Sequence, residues 1–191
     1  MKEYNPTVIS LTEKEYFQLR DWEAGKYTKV KDVFIFGCLT SLKFSEIKDI
    51  HQDNIINHQI CIKSAKTDVQ HSVPLTATAK AILEKYSYNL NFFTTQTYNR
   101  LLKKMAKASG FFDTPITVVI QRGNQRLEVQ KPKWECFGSH LARRVNITRN
   151  ITKNLPLDVV MDIAGLKRMD TVLKYMDNNG AKKDYSKILE E

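Results

Sequence analysis

Hydrophobic residues recur at helical spacing along most of this 191-residue chain, and the period changes in two places. Across residues 54–75, Ile56, Ile60, Ile62, Val69 and Val73 are mixed with polar residues, and Asn57-His58 and Lys66-Thr67-Asp68 are turn candidates. Two or three short antiparallel strands are expected there, closed by Pro74. The second change, at 116–120 and 126–129 around Gly123-Asn124, reads as a protruding basic β-hairpin. The remainder is helical, so the expected class is mainly α with a small antiparallel β-sheet.

The helix boundaries follow from capping chemistry. Thr12-Glu13-Lys14-Glu15 is a capping box, a hydroxyl followed three residues on by a carboxylate. It predicts a helix running to Glu23 or Ala24 and stopped by Gly25. Thr28 is expected to cap a second helix that buries Val30, Val33, Phe34, Gly37 and Cys38 and ends between Leu39 and Ser41. Ser45 is expected to cap a short helix over 46–50. Helices follow at 77–86 and 95–109. The longer one turns Tyr98, Leu101, Leu102 and Met105 inward and Arg100, Lys103, Lys104 and Lys107 outward. Ser139 is placed as the N-cap of the next helix. Pro156 opens another that ends at Gly165, and Met169 or Asp170 begins the one bearing Tyr175. A Gly180 break and a short helical pattern around Tyr185 close the chain.

Composition narrows the function. The chain is 42% hydrophobic and 27% charged, as in globular proteins. No apolar run approaches the roughly 18 residues of a membrane span, and Met1-Lys2-Glu3-Tyr4-Asn5 lacks the apolar core of a secretory signal. Cys38, Cys61 and Cys136 form neither a metal-ligand pattern nor a disulfide framework, so a cytoplasmic location is expected. The net charge of +9 is concentrated: from Arg100 to Asn150 there are eleven Lys/Arg against three Asp/Glu. That stretch is either a solvated basic face or a surface for a polyanion, bound by phosphate neutralisation and counterion release.

The chemistry centres on Gly138-Ser139-His140-Leu141-Ala142-Arg143-Arg144. His140 and Arg143 are three apart, on one face of a helix. An imidazole moves protons and a guanidinium grips phosphate. A tyrosine hydroxyl brought to that face, from Tyr175, completes a site for attacking a phosphodiester. Four blocks in order resemble the catalytic domain of the tyrosine recombinases (phage-integrase family), most like the integrases of mobile elements. Thr40-Ser41-Leu42-Lys43-Phe44-Ser45-Glu46 is similar to the first-arginine block, Thr-Gly-x-Arg-x-x-Glu. Lys66-Thr67 with Val73-Pro74-Leu75 is similar to the β-hairpin lysine block. His140 to Arg143 matches the His-x-x-Arg block. Ala164-Gly165-Leu166 with Thr171 and Tyr175 is similar to the final Gly-His-x(8)-Tyr block.

The resemblance implies a DNA breaking-rejoining fold and an enzyme that works through a 3′-phosphotyrosine, with no cofactor and no metal. It implies Tyr175 as nucleophile, Arg143 on a non-bridging oxygen, His140 in proton transfer, and Lys66 as general acid, with Lys63 its competitor for the hairpin position. Lys43 stands where the family has arginine and Leu166 where it has histidine, so an impaired site is one expectation. Arg144, Lys103, Lys104, Lys107, Arg122 and Arg126 are the expected DNA contacts. The implied partners are double-stranded DNA and further copies of the chain in a synaptic tetramer, with a cytoplasmic, nucleoid-associated location. By the same resemblance, residues 1–10 are expected to be a short lead without the family's N-terminal core-binding domain, residues 11–177 the catalytic domain, and residues 178–191 a tail that docks either in trans or on its own domain. Two other readings stay open: a weakened paralogue, and a helix-turn-helix regulator that binds DNA without cutting.

Overall fold

Helix α2 (Thr28–Thr40) lies at the centre of the fold, seen in a computed structural model that describes residues 8–63, 70–122 and 125–177. Its residues Val30, Val33, Phe34, Ile35, Phe36 and Cys38 are all buried, which requires neighbours on every side. Helices α1 (Glu13–Asp21), α4 (Ala77–Lys85), α5 (Thr95–Ser109) and α6 (Ser139–Thr152) supply them. Asp32 is buried among them and is held by Lys85 Nζ at 2.7 Å and Tyr86 Oη at 2.8 Å. A buried carboxylate without such partners would be strongly destabilising.

Several helix ends differ from the sequence expectation, some for local and some for tertiary reasons. Helix α1 begins at its capping box as expected but stops at Asp21. Lys31 Nζ donates to the carbonyls of Arg20 (2.8 Å) and Trp22 (2.6 Å), so these end groups are satisfied without another turn. Gly25, at φ +50°, opens a short 3-10 turn rather than ending α1. Thr28 is the first residue of α2, not its cap, and its hydroxyl donates to the Gly25 carbonyl. Helix α3 (Phe44–Lys48) begins earlier than expected, with Lys43 rather than Ser45 at the N-cap. Glu46 accepts the Lys43 N–H at 2.7 Å, and Phe44 stacks on Tyr98 with ring centres 4.1 Å apart. Ser139 does not cap α6 either. Gly138 is the N-cap, and Asn99 of α5 accepts the Ser139 N–H at 2.7 Å.

The strands fall where the period changes. β1 (Ile55–Ile56), β2 (Gln59–Lys63) and β3 (Gln70–Pro74) form an antiparallel sheet in that order. Asn57 and His58, both at positive φ, make the first turn. Ile60 pairs with Val73, and both are buried with Ile62. β4 (Pro115–Arg122) and β5 (Gln125–Pro132) form a hairpin longer than expected at both ends. The Lys66-Thr67-Asp68 and Gly123-Asn124 turns and the tail 178–191 lie outside the described residues.

Helix α6 joins two hydrophobic clusters. Its Leu141, Ala142 and Val145 belong to the main core around α2. Its Ile147 and Ile151 belong to a second cluster with Val160 of α7 (Leu157–Ala164) and Val172 of α8 (Met169–Asp177). The His140–Arg143 segment therefore belongs to one core while the same helix anchors the Tyr175 helix in the other. Among the described residues, no helix is long and apolar enough to cross a membrane.

Candidate active site

The site is assembled where α6 crosses the end of α2. A Cβ on Gly37 would lie 2.9 Å from Ala142 Cβ, so glycine is what allows the two helices to come this close. Helix α2 then ends at Ser41, in the left-handed region at φ +61°. This is the position where the first-arginine block has glycine, and the conformation explains that preference. The Ser41 carbonyl accepts from Arg143 Nη1 at 3.0 Å. Lys43 follows, with its ammonium 3.1 Å from Glu46 Oε1.

Arg143 is half-buried, and burial pushes its pKa below the ordinary arginine value. Glu46 and the Tyr175 phenol both oppose that shift, which puts both groups within electrostatic reach of the guanidinium. An arginine remains protonated at neutral pH after such a shift. Tyr175 is half-buried on α8, packed against the second cluster beside Leu166 and Met176. Three separate stretches of sequence thus come within electrostatic reach of Arg143: the α3 start with Glu46, α6 itself, and α8 with Tyr175. Leu166 packs into the apolar cluster, and its N–H donates to the Met161 carbonyl at 2.8 Å.

His140 is exposed, one turn before Arg143. It lines an opening of about 340 Å³ with Asn99, Lys103, Gly138 and Arg144. Lys103, Lys104, Lys107 and Arg144 are all exposed, as expected of a basic face, and Lys107 Nζ also lies 4.9 Å over the Trp134 ring. Arg122 and Arg126 sit at the far end of the β4–β5 hairpin, opposite Gln125 and Gln121, with side chains that are not among those described. Lys63 ends β2 opposite Gln70, its side chain likewise not described, and Lys66 lies outside the described residues. A larger cavity, about 410 Å³, lies elsewhere, between Leu11, Ile116 and Thr148. Arg149 at its edge is already bound to Glu13, by bonds of 2.6 and 2.9 Å, and stands 3.6 Å over the Tyr16 ring.

The same arrangement of helices and strands occurs in solved structures. The XerH site-specific recombinase, in a post-cleavage complex with its palindromic difH substrate, superposes with a TM-score of 0.67 and 16% identity over 98% of this chain and 55% of that one. A lambda integrase dimer bound to a COC′ core site gives a TM-score of 0.63, with 16% identity over 92% of this chain and 61% of that one. The Tn1549 transposon integrase, in complex with transposon right-end DNA, gives 0.63, with 15% identity over 94% and 66%. The fold is that of the tyrosine recombinases. At such low identity the likeness is one of tyrosine recombinase architecture, and the chain spans 55–66% of the length of these three structures. No protein-family model matches the sequence, and no curated protein matches it.

Two residues of this site were not assigned a role from sequence. Glu46 was visible as the end of the first block, three residues after Lys43, and it holds both the backbone and the ammonium of Lys43. Asn99 left no sequence signal, because it reaches Ser139 across 40 positions.

Proposed function

We propose that this chain is the catalytic domain, over residues 11–177, of a site-specific DNA recombinase that cleaves and rejoins DNA through a phosphotyrosine at Tyr175. The observation that carries this reading is that Tyr175 of α8 and Glu46, the partner of Lys43, both lie within electrostatic reach of Arg143 on α6, in a fold shared with the tyrosine recombinases. The Tyr175 oxygen attacks the phosphorus in line, the bond to the 5′-oxygen breaks, and a 3′-phosphotyrosine forms. His140 takes part in moving the tyrosine proton. Lys66, with Lys63 as its competitor, gives a proton to the departing 5′-oxygen. A 5′-hydroxyl from another strand reverses the step, so the phosphodiester energy is conserved and no nucleotide cofactor or metal enters. Arg143 holds a non-bridging oxygen. Its burial strengthens that interaction, because the local dielectric is low and the donor is already oriented.

The catalyst is proposed to be slow. The Lys43 ammonium is shared with Glu46 and lacks the two-pronged geometry of arginine. Leu166 offers no donor, and loss of one transition-state donor costs on the order of a hundredfold in rate. The partner is double-stranded DNA in the nucleoid, bound by Lys103, Lys104, Lys107, Arg144, Arg122 and Arg126. Further copies of the chain complete a synaptic assembly. The lambda integrase dimer on its core site supports the oligomeric part of this reading.

The test is a nicked suicide duplex carrying the DNA that flanks the chain's own gene. A covalent adduct is expected, and Tyr175→Phe is expected to abolish it. Duplex binding with no adduct at any nick position would leave a DNA-binding protein that does not cut.

A further inference from the structure

We propose that Asn146 is a positioning residue of this site, one that sets where Lys43 stands relative to Arg143. The inference rests on the recombinase reading above. The last turn of any α-helix leaves carbonyl oxygens without intrahelical donors. At the end of α2, donors come from α6. Asn146 Nδ2 donates to the carbonyls of Cys38 at 3.0 Å and Leu39 at 3.1 Å. Arg143 Nη1 donates to the carbonyl of Ser41. Both donors therefore come from positions three apart on one helix, and both hold the same turn.

Asn146 is 5% exposed, so its amide is committed to these bonds. Its orientation is set by Asn150, whose Nδ2 donates to Asn146 Oδ1 at 3.0 Å and leaves Asn146 Nδ2 facing α2. A side chain as short as asparagine reaches two carbonyls of another helix only where the helices are close, and Gly37 against Ala142 provides that approach. Lys43 lies two residues beyond Ser41, at the N-cap of α3. Its backbone is thus placed from one side by Glu46 and from the other by the end of α2, which is itself held by Asn146 and Arg143. Without Asn146, the buried carbonyl of Cys38 and the half-buried one of Leu39 lose these donors, and of the two α6 donors only Arg143 is left on the turn, while it also has to bind phosphate.

The test is a double-mutant cycle of Asn146→Leu and Lys43→Ala in the full chain. It is read both as single-turnover adduct formation on the nicked duplex and as affinity for that duplex at fixed salt. Leucine keeps the volume and removes the donors. Misplacing a catalytic group by about 1 Å costs on the order of a hundredfold, so a ten- to hundredfold slower adduct is expected with Lys43 present. Little further loss is expected once Lys43 is alanine, because coupled residues are not additive. Equal losses in both backgrounds would overturn the proposal, since a purely structural asparagine behaves that way. If Asn146→Leu fails to fold, by far-UV circular dichroism, Asn150→Ala replaces it: it removes only the orienting bond and should show the same coupling at smaller size. If the wild-type chain binds the duplex but forms no adduct, the catalytic reading fails. The affinity cycle then decides, with coupled effects supporting the role of Asn146 and additive effects ending it.

Discussion

Ser41, Lys43 and Leu166 are three residues at which this chain departs from the tyrosine recombinase pattern, and the structure gives the last two different weights. Lys43 is an exposed N-cap whose ammonium shares Glu46, so the change from arginine is open to reversal. Lys43→Arg is expected to raise adduct formation several-fold, because one edge of the guanidinium can hold Glu46 while the other meets phosphate. A lower rate in that variant would mean that Glu46 and the present lysine form the better pair. Leu166 is part of an apolar cluster that also supports Tyr175. Leu166→His is therefore expected to cost about 1 kcal/mol of stability from lost apolar burial, read as a lower urea midpoint, even where it adds a donor. Ser41 is the third departure. It occupies a left-handed turn that glycine adopts without strain, which is a reason for the family's glycine that the residue type alone states only in outline.

Between elements, α1 is fastened to α6 by Glu13 and Arg149, with Tyr16 beneath the guanidinium. The hydrogen bond from Arg149 is the main cause holding the Glu13 carboxyl below its ordinary value of 4.5. A depressed carboxyl pKa contributes stability above the unfolded-state value and loses it as pH falls through the folded one. Glu13→Gln should therefore melt lower than wild type near pH 6, and the gap should close as the pH is taken below 4. Melting temperatures across that range, at constant ionic strength, provide the check, and a gap that widens in acid would contradict the role given to this pair. Element existence was legible in the sequence, since capping boxes, terminal glycines and changes of period are local signals. The ends of α1, α3 and α6 were not, because Lys31, Phe44 and Asn99 act there on groups distant in the chain or on a partner ring.

At the scale of the whole molecule, exposed lysines on α5 and Arg144 on α6 give the charge excess of residues 100–150 a physical surface. Each phosphate neutralised by a lysine adds about one unit to the slope of log affinity against log salt. Lys103→Ala with Lys104→Ala is expected to lower that slope by about two, measured by fluorescence anisotropy on a duplex. An unchanged slope would place the DNA elsewhere. Lys107 is left out of the pair because it already packs on Trp134. The sequence by itself determined the mainly helical class, the two strand regions, and the order of blocks that links His140, Arg143 and Tyr175, all of which are encoded by spacing and residue type along one stretch at a time. Only the tertiary structure decided that Arg143 is half-buried against Ser41 while His140 stays exposed, and that α6 joins two cores. The contact of Arg143 with Ser41 depends on how closely α2 and α6 approach, and that distance is set by Gly37 meeting Ala142 across about a hundred residues of intervening chain.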